Sequence, residues 1–343
     1  MPAELHQGFQ VDPADLPSEA VIFGGTAAMR EVREKIDCAR EGDFPVLLQG
    51  ESGTGKDLIA RFLHVHSTRR EGPFVKLSCA AIAPALLEGE LLGHEEGTGP
   101  GAGEATCGSV EAAEGGTLFL DEIGQMSWTL QRKLLLLLQN GRYFRVGGRE
   151  ERQARVRVVC ATDVNLAGAI EKGGFRRDLF HQMDAMCLRL SPLRERKEDI
   201  PQLWDFFAEK LGRKFGKQTP QLTPEVLRVL EEWNWPGNLC ELESCIARVT
   251  ILGDEEGIGE ELRRQAAFTN AMEGQPERSG RPKSVSRQAA ADALILRVLQ
   301  ANHWNQRKTA GELKRSYRSL LYRLRNAGVL PRPRSRRGFP RPE

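Results

Sequence analysis

Gly50-Glu51-Ser52-Gly53-Thr54-Gly55-Lys56 follows the short apolar run Val46 to Gln49 and opens Lys56 to His66, whose apolar residues recur at helical spacing. Strand, glycine-rich turn and helix, in that order, make a phosphate loop. Glycines let successive backbone N–H groups turn toward one anion, and the helix N-terminus adds its dipole. Lys56 then reaches the β- and γ-phosphates of a nucleotide. The generic pattern has Ser or Thr after the lysine. Here Asp57 follows, a carboxylate that can still act through magnesium and water.

Downstream, Leu118-Phe119-Leu120-Asp121-Glu122 is an apolar strand ending in two carboxylates. Such a strand end holds magnesium with Asp121 and orients a water with Glu122. Further strands are expected at Phe74 to Leu77 and Arg155 to Cys160, and helices at Met29 to Ala39, Pro84 to Leu92 and Leu130 to Gln139. Residues 93 to 116 hold eight glycines and are expected to form a flexible loop. Near-continuous apolar strands alternating with helices predict an α/β domain with a parallel sheet covered on both faces.

That domain spans residues 21–191, after a flexible lead-in over 1–20. From 192 to 265 the pattern turns helical, at Ile200 to Leu211, Pro224 to Trp233 and Leu239 to Ile251, and reads as a helical lid. A Gly-, Pro- and Ser-rich linker follows over 266–286, then a compact all-α unit over 287–330, then a basic proline-broken tail over 331–343.

The net charge of +2 over 343 residues hides an asymmetry. From Arg281 to Glu343 there are 16 basic and 3 acidic residues, a net of +13, leaving 33 basic against 44 acidic residues, −11, in the rest. A basic end on an acidic body points to nucleic acid or another anionic surface. No apolar stretch is long enough to cross a membrane, and the N-terminus lacks the features of a signal peptide. Seven scattered cysteines without a CxxC pair argue against a disulfide framework or a zinc site and for reduced thiols in a cytoplasmic protein.

GESGTGKDLIARFLH, CAAIAPALLEGELLGHE, GGTLFLDEIG, FRVGG, PLRERKEDI and WPGNLCELE together resemble the AAA+ domain of bacterial enhancer-binding proteins, which activate sigma-54 RNA polymerase. The resemblance covers about residues 21 to 252 and resumes over roughly 290 to 330. It implies an AAA+ P-loop fold, ATP or ADP with Mg2+ as cofactors, a homo-oligomer (a dimer on DNA or a hexameric ring) and contact with RNA polymerase. Many members carry an N-terminal sensor domain. This chain is expected to have none and to be regulated by a separate protein or by expression.

Several positions depart from the family pattern. In the sigma-contacting GAFTGA loop, the aligned Gly97-Thr98-Gly99-Pro100-Gly101-Ala102 has Gly99 for the aromatic tip and Pro100 for its threonine neighbour. Ser78 stands where an asparagine restrains the acidic-strand glutamate, and Asp163 where the sensor motif has asparagine. Of two arginines that reach the neighbouring subunit's nucleotide, Arg176 matches the first and Gln182 replaces the second, while Cys240 replaces the lid arginine. Arginine fingers are worth ~10³ to 10⁵ in rate where isolated. These changes together predict weak or absent hydrolysis and no conventional sigma-54 remodelling. The alternatives are a working ATP-hydrolysing sigma-54 activator, using Glu122 and Arg176, or a protein that inhibits another AAA+ activator.

In the basic end, WNQRKTAGELKRSYRSLLYRLRNAGV resembles the Fis-type helix-turn-helix domain of these activators and implies double-stranded DNA as partner. Ser316, Tyr317, Arg318 and Ser319 open the helix that would enter a major groove. Arg307, Lys308, Lys314, Arg315, Arg323 and Arg325 are placed to hold the backbone, making affinity salt-dependent.

Overall fold

The computed structural model describes residues 8–98, 104–219 and 221–252. The chain divides between residues 267 and 268, and every described residue belongs to the first unit. The DNA-binding residues expected at 307–325 therefore lie outside the described residues, as do Gly99 and Pro100.

Among the described residues seven strands run in chain order as β1 (Val46–Gln49), β2 (Phe74–Ser78), β3 (Thr117–Asp121), β4 (Arg142–Tyr143), β5 (Arg152–Gln153), β6 (Arg157–Thr162) and β7 (Cys187–Arg189). Five of them form one sheet in the order β2-β3-β6-β1-β7, every pairing parallel, while β4 and β5 make a separate antiparallel hairpin. The helices are α1 (Glu19–Phe23), α2 (Ala27–Ala39), α3 (Lys56–Val65), α4 (Pro84–Leu92), α5 (Ser109–Ala112), α6 (Trp128–Asn140), α7 (Leu166–Glu171), α8 (Arg177–Met183), α9 (Ile200–Phe215), α10 (Pro224–Glu232) and α11 (Asn238–Leu252).

Successive strand residues point to opposite faces, so an unbroken apolar run feeds two cores at once. Leu118 and Leu120 of β3 with Val158 and Cys160 of β6 enter one core, against α4, α5, α6 and α8. Phe119, Val159 and Ala161 enter the other, against α1, α2 and α3. A third core belongs to the lid, where Trp204, Leu211, Leu230, Trp235, Leu242 and Ile246 join α9, α10 and α11. Among the described residues no helix is long and apolar enough to cross a membrane.

Two regions expected to be loose are tied down. Residues 8–20, read as a lead-in, lie against the body: Phe9 and Phe74 exchange backbone hydrogen bonds at 3.2 and 3.0 Å, with their rings 5.6 Å apart. The described part of the glycine-dense interval is pinned at its base. His94 and Thr106 exchange backbone hydrogen bonds at 3.0 Å, and the β4–β5 hairpin joins them through Val146, whose N–H donates to Gly93 O at 2.9 Å.

Candidate nucleotide site

The site lies at the carboxyl ends of β1 and β3, where ligands of open α/β sheets bind. β1 ends at Gln49 and the chain turns through Gly50 to Gly55 into α3. Gly53 and Gly55 adopt φ +80° and +99°, conformations open to glycine but strained for other residues. A side chain at Gly53 would also strike the carbonyl of Gly237, 2.3 Å from where its Cβ would stand. Ile59 N–H is the first in α3 to bond back, to Gly55 O at 3.0 Å, so the earlier amides open toward the loop. Thr54 is buried, and its hydroxyl donates to Glu51 O at 2.8 Å.

Lys56, 7% exposed, donates from Nζ to Gly50 O at 2.8 Å and Glu51 O at 3.2 Å, and stands 3.5 Å from Glu122 Oε1. Glu122 follows directly on β3 in left-handed backbone, φ 57°, which turns its carboxylate into the site. Its Oε2 accepts the Asp163 N–H at 3.2 Å. Burial pushes the Glu122 carboxyl above the usual carboxylate range; hydrogen bonding with the Asp163 side chain adds to this and the Lys56 charge opposes it. A carboxylate raised in this way is a stronger base than a solvated one, which suits a proton acceptor.

Asp121, the last residue of β3, lies 3.5 Å from Lys76 Nζ. Lys76 also bonds Asp57 at 2.7 Å, and Arg61 takes the other Asp57 oxygen at 2.9 Å, so protein cations engage the Asp57 carboxylate. Among the described residues no cluster of three or more His, Cys, Asp or Glu side chains is built to hold a metal. The donor set fits magnesium only with help: Asp121 offers a hard oxygen, and the remaining ligands would be phosphate and water.

Of the other positions singled out in the sequence, Ser78 ends β2 in register with Asp121. Arg176 precedes α8 and is held outside the loop: it donates to both oxygens of Asp178 at 3.0 and 2.6 Å, and its guanidinium lies 5.1 Å from the centre of the exposed Trp128 ring. Gln182 is half-buried on α8. Cys240, exposed on α11, lines a groove of about 670 Å³ with Gly53, Gly55, Leu203 and Leu239, beside the phosphate loop.

Sequence reasoning missed the lid residues that grip the loop. Asn238 Nδ2 donates to Ser52 O at 3.0 Å, and Arg194 pairs with both Glu51 oxygens at 2.8 and 2.6 Å. Their motifs, WPGN and PLRER, were visible, but nothing in their spacing says where they dock.

A Sigma-54 interaction domain matches residues 22–189, and an AAA+ ATPase lid domain matches residues 194–279. A Nif-specific regulatory protein of Rhizobium leguminosarum bv. trifolii is 36% identical over 341 residues, covering 90% of this chain and 96% of that protein. The chain belongs to the sigma-54 interaction-domain family of AAA+ regulators. The Nif-specific regulatory protein of Azotobacter vinelandii is 39% identical over 313 residues, 91% of this chain but 59% of that protein, so the chain spans about three fifths of some relatives. Among solved structures, Brucella abortus NtrX in complex with ATP shares 30% identity at a TM-score of 0.64, covering 89% of this chain and 69% of that one. The same protein with ADP aligns at 0.62.

This membership overturns the expectation of a family member with doubtful ATPase activity and no sigma-54 remodelling. The Sigma-54 interaction domain runs through Ser78, Gly99, Pro100, Asp163 and Gln182, and the lid domain through Cys240. The geometry supplies a physical reason the inference failed. Glu122 does not depend on an amide from position 78, because the Asp163 backbone holds it, and Lys56 and Glu122 still stand 3.5 Å apart.

Proposed function

We propose that this sigma-54 interaction-domain protein binds and hydrolyses ATP, and that hydrolysis in a DNA-bound homo-oligomer drives activation of sigma-54 RNA polymerase. The observation that carries the reading is the 3.5 Å approach of Lys56 to Glu122, a phosphate-binding cation beside a proton-accepting carboxylate. The loop amides and Lys56 take the phosphates. Glu122 accepts the proton of the attacking water. Asp121 would hold a magnesium ion, which when bound neutralises charge on the β- and γ-oxygens. Arg176, already oriented by Asp178 and Trp128, reaches the nucleotide of the neighbouring subunit. The purine occupies the groove lined by Leu203, Leu239 and Cys240.

The basic end, as a Fis-type domain, holds the oligomer on double-stranded DNA. The decisive experiment measures ATP turnover and sigma-54-dependent open-complex formation by purified protein beside Lys56→Ala and Glu122→Gln. Both activities should be present in the wild type and absent from each variant. A wild type no faster than Lys56→Ala sinks the proposal. Deleting residues 281–343 should abolish DNA affinity; unchanged affinity would remove the DNA assignment.

A further inference from the structure

The carbonyls of the phosphate loop from Gly50 to Thr54 are bonded one after another. Lys56 Nζ donates to Gly50 O at 2.8 Å and Glu51 O at 3.2 Å. The next three donors come from the lid side of the chain: Asn238 Nδ2 to Ser52 O at 3.0 Å, Leu239 N to Gly53 O at 3.0 Å and Arg196 to Thr54 O at 3.1 Å. Across a trans peptide the C=O and the following N–H point in opposite directions. A donor that fixes Ser52 O therefore aims Gly53 N–H, and one that fixes Thr54 O aims Gly55 N–H, toward the anion side of the loop.

The residues making these bonds are themselves fixed. Asn238 is fully buried in left-handed backbone, φ 51°, and its Oδ1 accepts Leu193 N–H at 2.8 Å, so Nδ2 must face the loop. That same Nδ2 stands 3.3 Å from Glu51 Oε2, and Glu51 in turn takes the Arg194 guanidinium. Arg196 is 2% exposed, and Asp199, three residues on, accepts Gly25 N–H at 2.8 Å. Meanwhile α11 brings Cys240, not a cation, to the nucleotide groove.

We propose that Asn238, Arg196 and the Glu51–Arg194 pair form a clamp on the back of the phosphate loop, through which the lid sets nucleotide affinity. They are positioning residues, acting through the loop backbone. The inference rests on the nucleotide reading of the site, but its test reads affinity and does not require turnover.

The test titrates the full chain with a fluorescent ADP analogue and measures KM and kcat for ATP. Asn238→Asp keeps the shape and the acceptor for Leu193 but loses the donor to Ser52 O and sets a carboxylate against Glu51. It should weaken binding and raise KM by about tenfold or more, with kcat at saturation within about threefold of wild type. Adding Glu51→Gln removes the like charge but also the Arg194 pair, and leaves Ser52 O without its donor, so affinity should stay at least about threefold below wild type. Arg194→Gln, at the surface, should weaken binding about threefold without lowering the melting temperature.

Wild-type affinity in folded Asn238→Asp, or in the double variant, overturns the clamp. If Asn238→Asp does not fold, Arg194→Gln decides, and unchanged affinity there overturns it. A wild type that binds without turnover removes the hydrolysis reading and leaves the clamp to be judged on affinity. A wild type that binds no nucleotide overturns both.

Discussion

The backbone N–H of Asp163 donates to the carboxylate of Glu122 at 3.2 Å, bridging the ends of β6 and β3. The Asp163 side chain works against that amide, because its hydrogen bonding and its charge both raise the Glu122 carboxyl, on top of burial. A proton acceptor fails once protonated, so turnover should fall as pH drops through this raised value. Asp163→Asn removes both side-chain contributions and keeps the backbone donor. The acid limb of kcat should move to lower pH, and turnover at neutral pH should hold or rise. A pH–rate profile checks this; a limb that stays in place removes Asp163 from control of Glu122.

Arg176 is held by the bidentate Asp178 pair and by the face of Trp128 at 5.1 Å. If it acts on the next subunit's nucleotide without a second arginine at Gln182, Arg176→Ala should lower turnover by about 10³ or more while nucleotide affinity holds. Trp128→Ala should cost only about threefold, in line with ~0.5–1 kcal/mol for an exposed cation–π contact. Mixing Arg176→Ala subunits with Lys56→Ala subunits should recover part of the activity. Failure of the mixture to recover would put Arg176 in its own subunit's site.

Much of this arrangement was legible from local chemistry. The helix read as Lys56 to His66 is Lys56–Val65, Pro84–Leu92 has the bounds expected, and the three apolar runs leading to the site became β1, β2 and β3. Periodicity and the glycine turn suffice for these because their causes lie within a few residues. β7 was missed: Cys187–Arg189 is three residues long, too short for any period, and becomes a strand only by pairing with β1. The two-residue strands of the hairpin were missed for the same reason. Glu122 and Asp121 were visible as a pair, yet the left-handed turn separating their directions was not. The grip of Asn238 on a loop 186 residues earlier depends on docking, which no local pattern encodes.

At the base of the glycine-rich loop Arg145, Glu111, Glu95 and Arg152 form a partly buried cluster of ion pairs. Arg145, in the hairpin, donates to both Glu111 oxygens at 2.7 Å, with side-chain exposures of 10% and 17%. Burial would raise the Glu111 carboxyl, but these bonds outweigh it and hold it low. Removing one partner leaves the other only a more distant counter-charge, Glu95 at 3.8 Å from Arg145 or Arg152 at 3.9 Å from Glu111, at a cost of about 1 to 3 kcal/mol. Arg145→Ala should therefore speed cleavage of residues 93–98 and 104–108 in limited proteolysis, while ATP binding persists. Glu111→Ala should give the same pattern. Equal cleavage in variant and wild type would show that the backbone bonds through Val146 suffice.

At the opposite end of the sheet, Arg157 opens β6 fully buried. One of its nitrogens donates to Ala39 O at 2.6 Å, but Nε and Nη1 have no hydrogen-bond partner among the described residues. A buried cation with so little compensation is a weak source of stability. Nearby, the buried His64 ring bonds Thr117 Oγ1 at 2.9 Å, and burial, with the Arg157 charge, holds it below its ordinary 6.5. The folded protein thus binds fewer protons at His64 than the unfolded chain, so this site's contribution is present above pH 6.5 and is lost as pH falls below it. Arg157→Met fills similar space without charge, so the melting temperature at neutral pH should hold or rise, and the loss between pH 7 and 5 should shrink as His64 relaxes upward. Arg157→Ala should instead lose about 2 to 4 kcal/mol, because it opens a cavity. Thermal melts across that pH range separate the two effects. A Met variant much less stable than wild type would mean that the cation is solvated by ordered water and stabilises the strand it begins.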